Sequence, residues 1–217
     1  DTNSDNAVVA TAATTITGTA AAIKTAIEAS TINTATNYGV TVSSTVTTAQ
    51  LKAINADTSG AIVLSDTSAA ISGTASDLQS AFAGSVTTYT GAVTITSSVN
   101  VAKLKDINDA VSGAITLNNT LDILYGSASD LVDALAGTIT TYTSQVVIID
   151  EPTVAQLKAV NDAVSGAITL NDSDGNLSGT ASDLVDAFAG TVTEHEGNIT
   201  VTDAATIAQL TTINAET

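Results

Sequence analysis

The chain has 217 residues, of which 44% are hydrophobic but only 3% aromatic, and it contains no Trp and no Cys. Its formal net charge is −17, with only five basic residues, all Lys, against 22 acidic ones. This excludes a disulfide framework, a disordered acidic tail and, for want of clustered cations, a phosphate-binding surface. Anionic lipid surfaces are disfavoured for the same reason, and no apolar run is long enough to span a bilayer. The chain starts with Asp rather than Met and shows no signal peptide, so it reads as a processed product or a piece of something larger.

A strict period organises the chain. Leu51, Leu104, Leu157 and Leu210 stand 53 residues apart (104−51, 157−104, 210−157), as do Gly73, Gly126 and Gly179, and Gly84, Gly137 and Gly190. Such a period marks a repeat array. Residues 1–15 read as the strand end of a preceding repeat, because they align with Asp57–Ala70. Repeat 1 then covers 16–70, repeat 2 covers 71–123, repeat 3 covers 124–176, and 177–217 is an incomplete fourth, so that 1–217 is one array.

Each period holds two halves. The first opens on a helix, at Thr19–Ala29, Thr74–Ala83, Ser127–Ala136 and Thr180–Ala189. In the last three, TASD or SASD offers a Ser/Thr cap with Asp77, Asp130 or Asp183 reaching back, a short-armed capping box. Leu78, Ala81 and Phe82 form one helical stripe, repeated by Leu131, Ala134 and Leu135 and by Leu184, Ala187 and Phe188. Gly84, Gly137 and Gly190 suit a left-handed helix end. A Thr- and Val-rich stretch follows, as at Ser85–Thr96, predicting two short strands about a turn. The second half opens on another helix, as at Val101–Gly113, with the stripe Val101, Leu104, Ile107 and Val111. Thr153 and Gln156 give the equivalent helix a capping box behind Pro152. Gly60, Gly113 and Gly166 are expected to stop these helices, and a short AIVL or AITL strand comes next.

The halves are 26 and 27 residues long (Leu78 to Leu104, Leu104 to Leu131). Each suffices for one coil of an α/β solenoid, and stacking strands at ~4.8 Å against helices at ~8–10 Å makes the array elongated or curved. The alternative is one 53-residue coil per turn with helices on two sides.

Four sets of residues invite a function. The column Asn55, Asn108, Asn161 and Asn214 is expected to form a ladder of hydrogen bonds tying adjacent coils. Tyr89, Tyr142 and His195 share a column and offer a platform for a sugar, at a surface or edge position. His195 has only Glu194 and Glu196 beside it and no Cys or His partner for a metal. Asp172, Asp174 and Asn176 place oxygen ligands at alternate positions around Gly175, like the start of a calcium loop, but without the distant Glu and without recurrence. Ca²⁺ is therefore the one candidate cofactor, and none is required. Thr87, Thr88 and Thr90 recur as Thr140, Thr141 and Thr143, a pattern that suits either β propensity or an ice-ordering face. No nucleophile elbow and no unique acidic pair appears, so no enzymatic reaction is expected.

The run TVAQLKAVNDAVSGAITL followed by SGTASDLVDAFAGTVT resembles tandem repeats in very large secreted surface proteins of cyanobacteria and other marine bacteria. The resemblance covers essentially the whole chain. It departs in the first period, where Ile23 and Ile27 replace Leu and Phe and Ser30–Asn37 lack the Gly stop. It implies a structural segment (spacer, stalk, fibre or lattice element) of an extracellular adhesin, surface-layer or matrix protein. The alternative is an extracellular binding module for glycan, protein or ice. Expected partners are neighbouring repeats of the chain and further copies of it, end to end or laterally.

Overall fold

The structure, a computed structural model, describes residues 7–119, 121–192 and 195–215. Helices and short parallel strands alternate along two compact units, the first reaching Ser97 and including Asp106–Asn118, the second made of Ser98–Lys105 and the residues from Asn119 on. The first unit contains β1 (Val8–Ala10), β2 (Thr15–Gly18), α1 (Ala20–Glu28), β3 (Ile32–Thr34), β4 (Gly39–Val42) and α2 (Thr48–Asp57). It continues with β5 (Ile62–Leu64), β6 (Ile71–Gly73), α3 (Ala75–Phe82), β7 (Val93–Ile95), the latter half of α4 (Val101–Ala110) and β8 (Ile115–Leu117). The second holds the start of α4, then β9 (Leu124–Gly126), α5 (Ala128–Ala134), β10 (Val146–Ile148), α6 (Val154–Ala163) and β11 (Ile168–Leu170). It ends with β12 (Leu177–Gly179), α7 (Ala181–Ala187), β13 (Ile199–Val201) and α8 (Ile207–Asn214).

The sheets are small: β1-β3, β2-β4-β5 and β6-β7-β8 in the first unit, β9-β10-β11 and β12-β13 in the second. Every pairing among the described strands is parallel, which requires a crossover between partners, and a helix lies in each of these. Val146 faces Leu124 and Ile168, each 22 residues away (146−124, 168−146). Strands alternate inward and outward, so that Ile62 and Leu64 are buried while Val63 is exposed.

The core is aliphatic, as the composition requires. Leu51, Leu104 and Leu157 are fully buried, and so are Leu78, Leu131 and Leu184. Capping fixes where the helices start. Thr47, Thr153 and Thr206 each close a full capping box with Gln50, Gln156 and Gln209, the backbone N–H of the Thr donating to the Gln Oε1 at 2.9 Å. Thr74, Ser127 and Thr180 cap with their hydroxyls, but here the Asp three residues on behaves differently from expectation. Asp77, Asp130 and Asp183 each accept from the capping hydroxyl itself, at 2.8 Å. A second cap comes from a distant loop: the N–H groups of Ala128 and Ala181 donate to Asp150 and Asp203, and those of Ala20 and Ala75 to Ser44 and Ser97. A carboxylate at a helix N-terminus also meets the positive end of the dipole.

Gly84, Gly137 and Gly190 have φ of 69°, 74° and 82°, the left-handed conformation expected of them. In the first period α1 runs through nine residues and ends at an extended Ala29 instead. The other glycine column is a correction. Gly60, Gly113 and Gly166 do not stop helices by a left-handed turn; α2 and α6 already end on extended Thr58 and Val164. These glycines sit where backbones touch: a Cβ on Gly113 would lie 2.1 Å from Gly91 O, and one on Gly166 would lie 2.0 Å from Ser144 O. Ser85–Thr96 also differs in part. Val86 and Tyr89 make isolated parallel bridges to Ile62 and Val111, and the strand proper is β7.

Candidate functional site

The aromatic column is buried. Tyr89 and Tyr142 have no exposed surface and His195 has 3%, so no sugar can stack on them and the expected binding face is not there. Each Tyr occupies an inward-facing bridge position, Tyr89 opposite Val111 and Tyr142 opposite Val164, both of them buried. Tyr89 packs on Phe82 with ring centroids 5.6 Å apart, and its hydroxyl donates to Ala69 O at 2.7 Å. Tyr142 donates likewise to Asp122 O. Burial first, then the nearby charges of Asp66 and Asp122, push both phenols above their ordinary pKa. His195 takes the same seat beside Phe188 at 6.1 Å, yet neither ring nitrogen has a hydrogen-bond partner among the described residues. Glu194 lies outside the described residues, and Glu196 is held by its backbone N–H, which donates to Ser173 O at 2.8 Å.

The Asn column reaches the next helix rather than the next Asn. Asn55 Nδ2 donates to Ser80 O and Ala83 O, both at 2.8 Å, and Asn161 Nδ2 donates to Asp186 O at 2.9 Å. These three carbonyls lie at the C-terminal ends of α3 and α7, where the i+4 ladder runs out. Asn108 and Asn214 stand at the same position on α4 and α8.

A lysine column does parallel work that the sequence reading missed, although Lys52, Lys105 and Lys158 repeat at the same 53-residue interval (105−52, 158−105). Lys52 pairs with Asp77, Lys105 with Asp133 and Lys158 with Asp186, each at 2.5 Å. The hydrogen bond from Lys52 holds the Asp77 carboxyl below its usual pKa, and the bond to Asp186 holds Lys158 above its own. These pairs are half-exposed, so they contribute register more than energy.

Asp172 and Asp174 lie together. A hydrogen bond with Asp174, then desolvation and the charges of Asp174, Glu151 and Asp150, push the Asp172 carboxyl up. Glu151 lies over Gly175, where a Cβ would meet its carboxyl carbon at 2.0 Å. Among the described residues no group of three or more His, Cys, Asp or Glu is arranged to hold a metal ion. The Thr runs are partly spent on the fold: Thr87 Oγ1 accepts from Leu64 N at 3.1 Å, and Thr90 Oγ1 bonds Thr67 Oγ1 at 2.7 Å. An open, polar hollow of about 640 Å³ lies beside Gln79, Phe82, Thr88, Asp106 and Asp109. Gln79 already donates to Asp106 there, at 2.6 Å.

No protein-family model, no curated protein and no solved structure matches this chain. Among the described residues, no helix is long and apolar enough to cross a membrane.

Proposed function

We propose that the chain is an elongated α/β solenoid of 53-residue periods, serving as a structural spacer, stalk or lattice element of a large extracellular bacterial surface protein. One observation carries this reading. The bonds that join separate elements link residues 19 to 28 apart, so each element is tied to the next along the chain. Nearest-neighbour packing is what lets a repeat protein grow along one axis. The polar columns serve the same end: Asn55, Asn161 and the three Lys residues pair onward with the following helix. The charge left over keeps such an array soluble, and the extracellular setting rests on the family resemblance. No chemical step is part of this reading.

The test is to remove residues 124–176, one whole period. The shortened chain keeps its circular dichroism per residue and a cooperative melt, and its maximum dimension in X-ray scattering falls in proportion to the residues removed. A deletion chain that unfolds, or one whose size falls only as a compact globule would, defeats the proposal. Calcium at Asp172, Asp174 and Asn176 is an added term. It predicts a melt raised by millimolar Ca²⁺ over EDTA and not by Mg²⁺, since a ligand of the folded state stabilises it by mass action. An unchanged melt removes calcium and leaves the spacer.

A further inference from the structure

Repeat 3 breaks the polar pattern on the outer face of its sheet. Leu124 and Gly126 of β9 point inward and are buried, while Tyr125 between them turns outward. Tyr125 stands opposite Val147 of β10 in the parallel register. The ladder runs on past both strand ends, with Leu124 N donating to Gln145 O and Ile149 N to Gly126 O. Alternation along each strand then puts Ile123 and Ile149 on the face of Tyr125 and Val147. Tyr125, Ile149 and Ile123 are 60%, 52% and 40% exposed.

The fold does not ask for apolar side chains there. The same four columns hold Ala70, Ser72, Thr94 and Thr96 in repeat 2, and Asn176, Ser178, Thr200 and Thr202 in repeat 4. Apolar residues gathered in one exposed place, where sister repeats are polar, mark an interaction surface. The border of the patch says what covers it. Ile149 runs directly into Asp150 and Glu151, and the charges of these two, with that of Asp174, help push the Asp172 carboxyl up. All five cations, Lys24, Lys52, Lys103, Lys105 and Lys158, lie in helices, so the strands and loops around the patch have none to balance these carboxylates. A second copy would bring the same acidic border and a further −17 to the contact, and like charges brought together oppose binding.

We propose that Ile123, Tyr125, Val147 and Ile149 form a docking face for another protein, one that presents aliphatic side chains flanked by Lys or Arg. The face has the apolar centre and polar border of a protein interface, with Tyr125 as its aromatic anchor. Cations of the partner meet Glu151 and its neighbours while its aliphatic residues cover Tyr125, so added salt weakens the contact. This goes beyond the spacer reading: the other repeats supply length, and repeat 3 attaches something to it.

The test titrates the full chain, by calorimetry, with three synthetic nine-residue peptides that alternate Val with Lys, Val with Glu, and Ser with Lys. The Val/Lys peptide binds, more weakly as NaCl rises, and the other two bind at least ~tenfold more weakly. A variant carrying Ile123→Ala, Tyr125→Ser, Val147→Thr and Ile149→Thr takes the residues of repeat 2, keeps its circular dichroism and loses at least ~tenfold in affinity for the Val/Lys peptide. Tyr125→Ser alone, at its exposed position, replaces it where the fourfold change does not fold. Glu151→Ser, which matches Ser98 of repeat 2, weakens binding about 1.5- to 5-fold and flattens the salt dependence. A wild type that ignores the Val/Lys peptide or binds all three alike overturns the proposal, as does a patch variant that binds like the wild type. Dimerisation of the wild type in sedimentation velocity, abolished by the patch variant, also overturns it, because the face then belongs to a second copy. The chain lacking residues 124–176 keeps the two readings apart. If it folds and still binds the Val/Lys peptide, the docking face alone is overturned; if it unfolds, the array is.

Discussion

Two glycine-to-alanine changes separate two physical demands that look alike in the sequence. Gly137 has φ of 74° and nothing within 4 Å of a built Cβ, so Gly137→Ala costs only the left-handed conformation, roughly 1–2 kcal/mol. Gly166 has an ordinary φ, but its Cβ would stand 2.0 Å from Ser144 O and 2.7 Å from Thr143 O. Restoring ordinary contact needs the two backbones to part by at least ~1 Å. The flanking bonds, Ser165 N to Tyr142 O at 2.8 Å and Val146 N to Ala167 O at 2.9 Å, would then stretch past a hydrogen-bonding distance. Losing two such bonds costs about 1–3 kcal/mol each, so Gly166→Ala destabilises by roughly 2–6 kcal/mol. Urea titration of both variants reads the difference, and hydrogen exchange at Ser165 and Val146 locates it. Equal costs for the two changes, or Gly166→Ala with protection intact at those amides, would refute the close-contact argument.

Three further outcomes are expected. His195→Tyr gives the ring seat the hydroxyl that Tyr89 and Tyr142 use and removes two unpartnered buried nitrogens; thermal melts should show a gain of about 1–3 kcal/mol, and a loss would show the seat is shaped for imidazole. Asp172 has a folded-state pKa above its unfolded one, so its charge opposes folding at neutral pH and this opposition fades as pH falls through the raised value. Asp172→Asn therefore raises the melting temperature at pH 7, with a gain that shrinks toward pH 4, and a pH-independent shift would remove the carboxylate cluster as its cause. Leu157→Ala should cost about 2–5 kcal/mol in denaturant titration. Leu210→Ala, in the same column but 47% exposed, should cost well under half as much in the monomer, and equal losses would contradict the exposed face of α8.

The alternation of helices with short strands was legible because its signals are local. Caps such as Thr153 with Gln156, the Leu stripes, and the left-handed Gly84, Gly137 and Gly190 depend on residues within one turn of each other. What the sequence hid was what each column meets about 22 to 28 residues away. Gly166 looked like a helix stop because its contact, Ser144 O, is remote in the chain. The Tyr column looked like an aromatic display because nothing local says that a bridge to Val111 or Val164 turns the ring inward. The Asn column invited a ladder of amides, whereas the acceptors of Asn55 and Asn161 are carbonyls at a helix end. The lysine column was visible at the common interval and went unread because surface charges rarely carry structural information.

The short span of the ties named above has a mechanical consequence. In the proposed array, pulling on the two chain ends would load the contacts in series, and a tie that breaks would release only the residues it encloses. One period of 53 residues pays out roughly 170–190 Å of extended chain while its neighbours keep their own bonds. If the proposed array holds, the chain would yield under tension in small steps and re-form each from the intact part beside it.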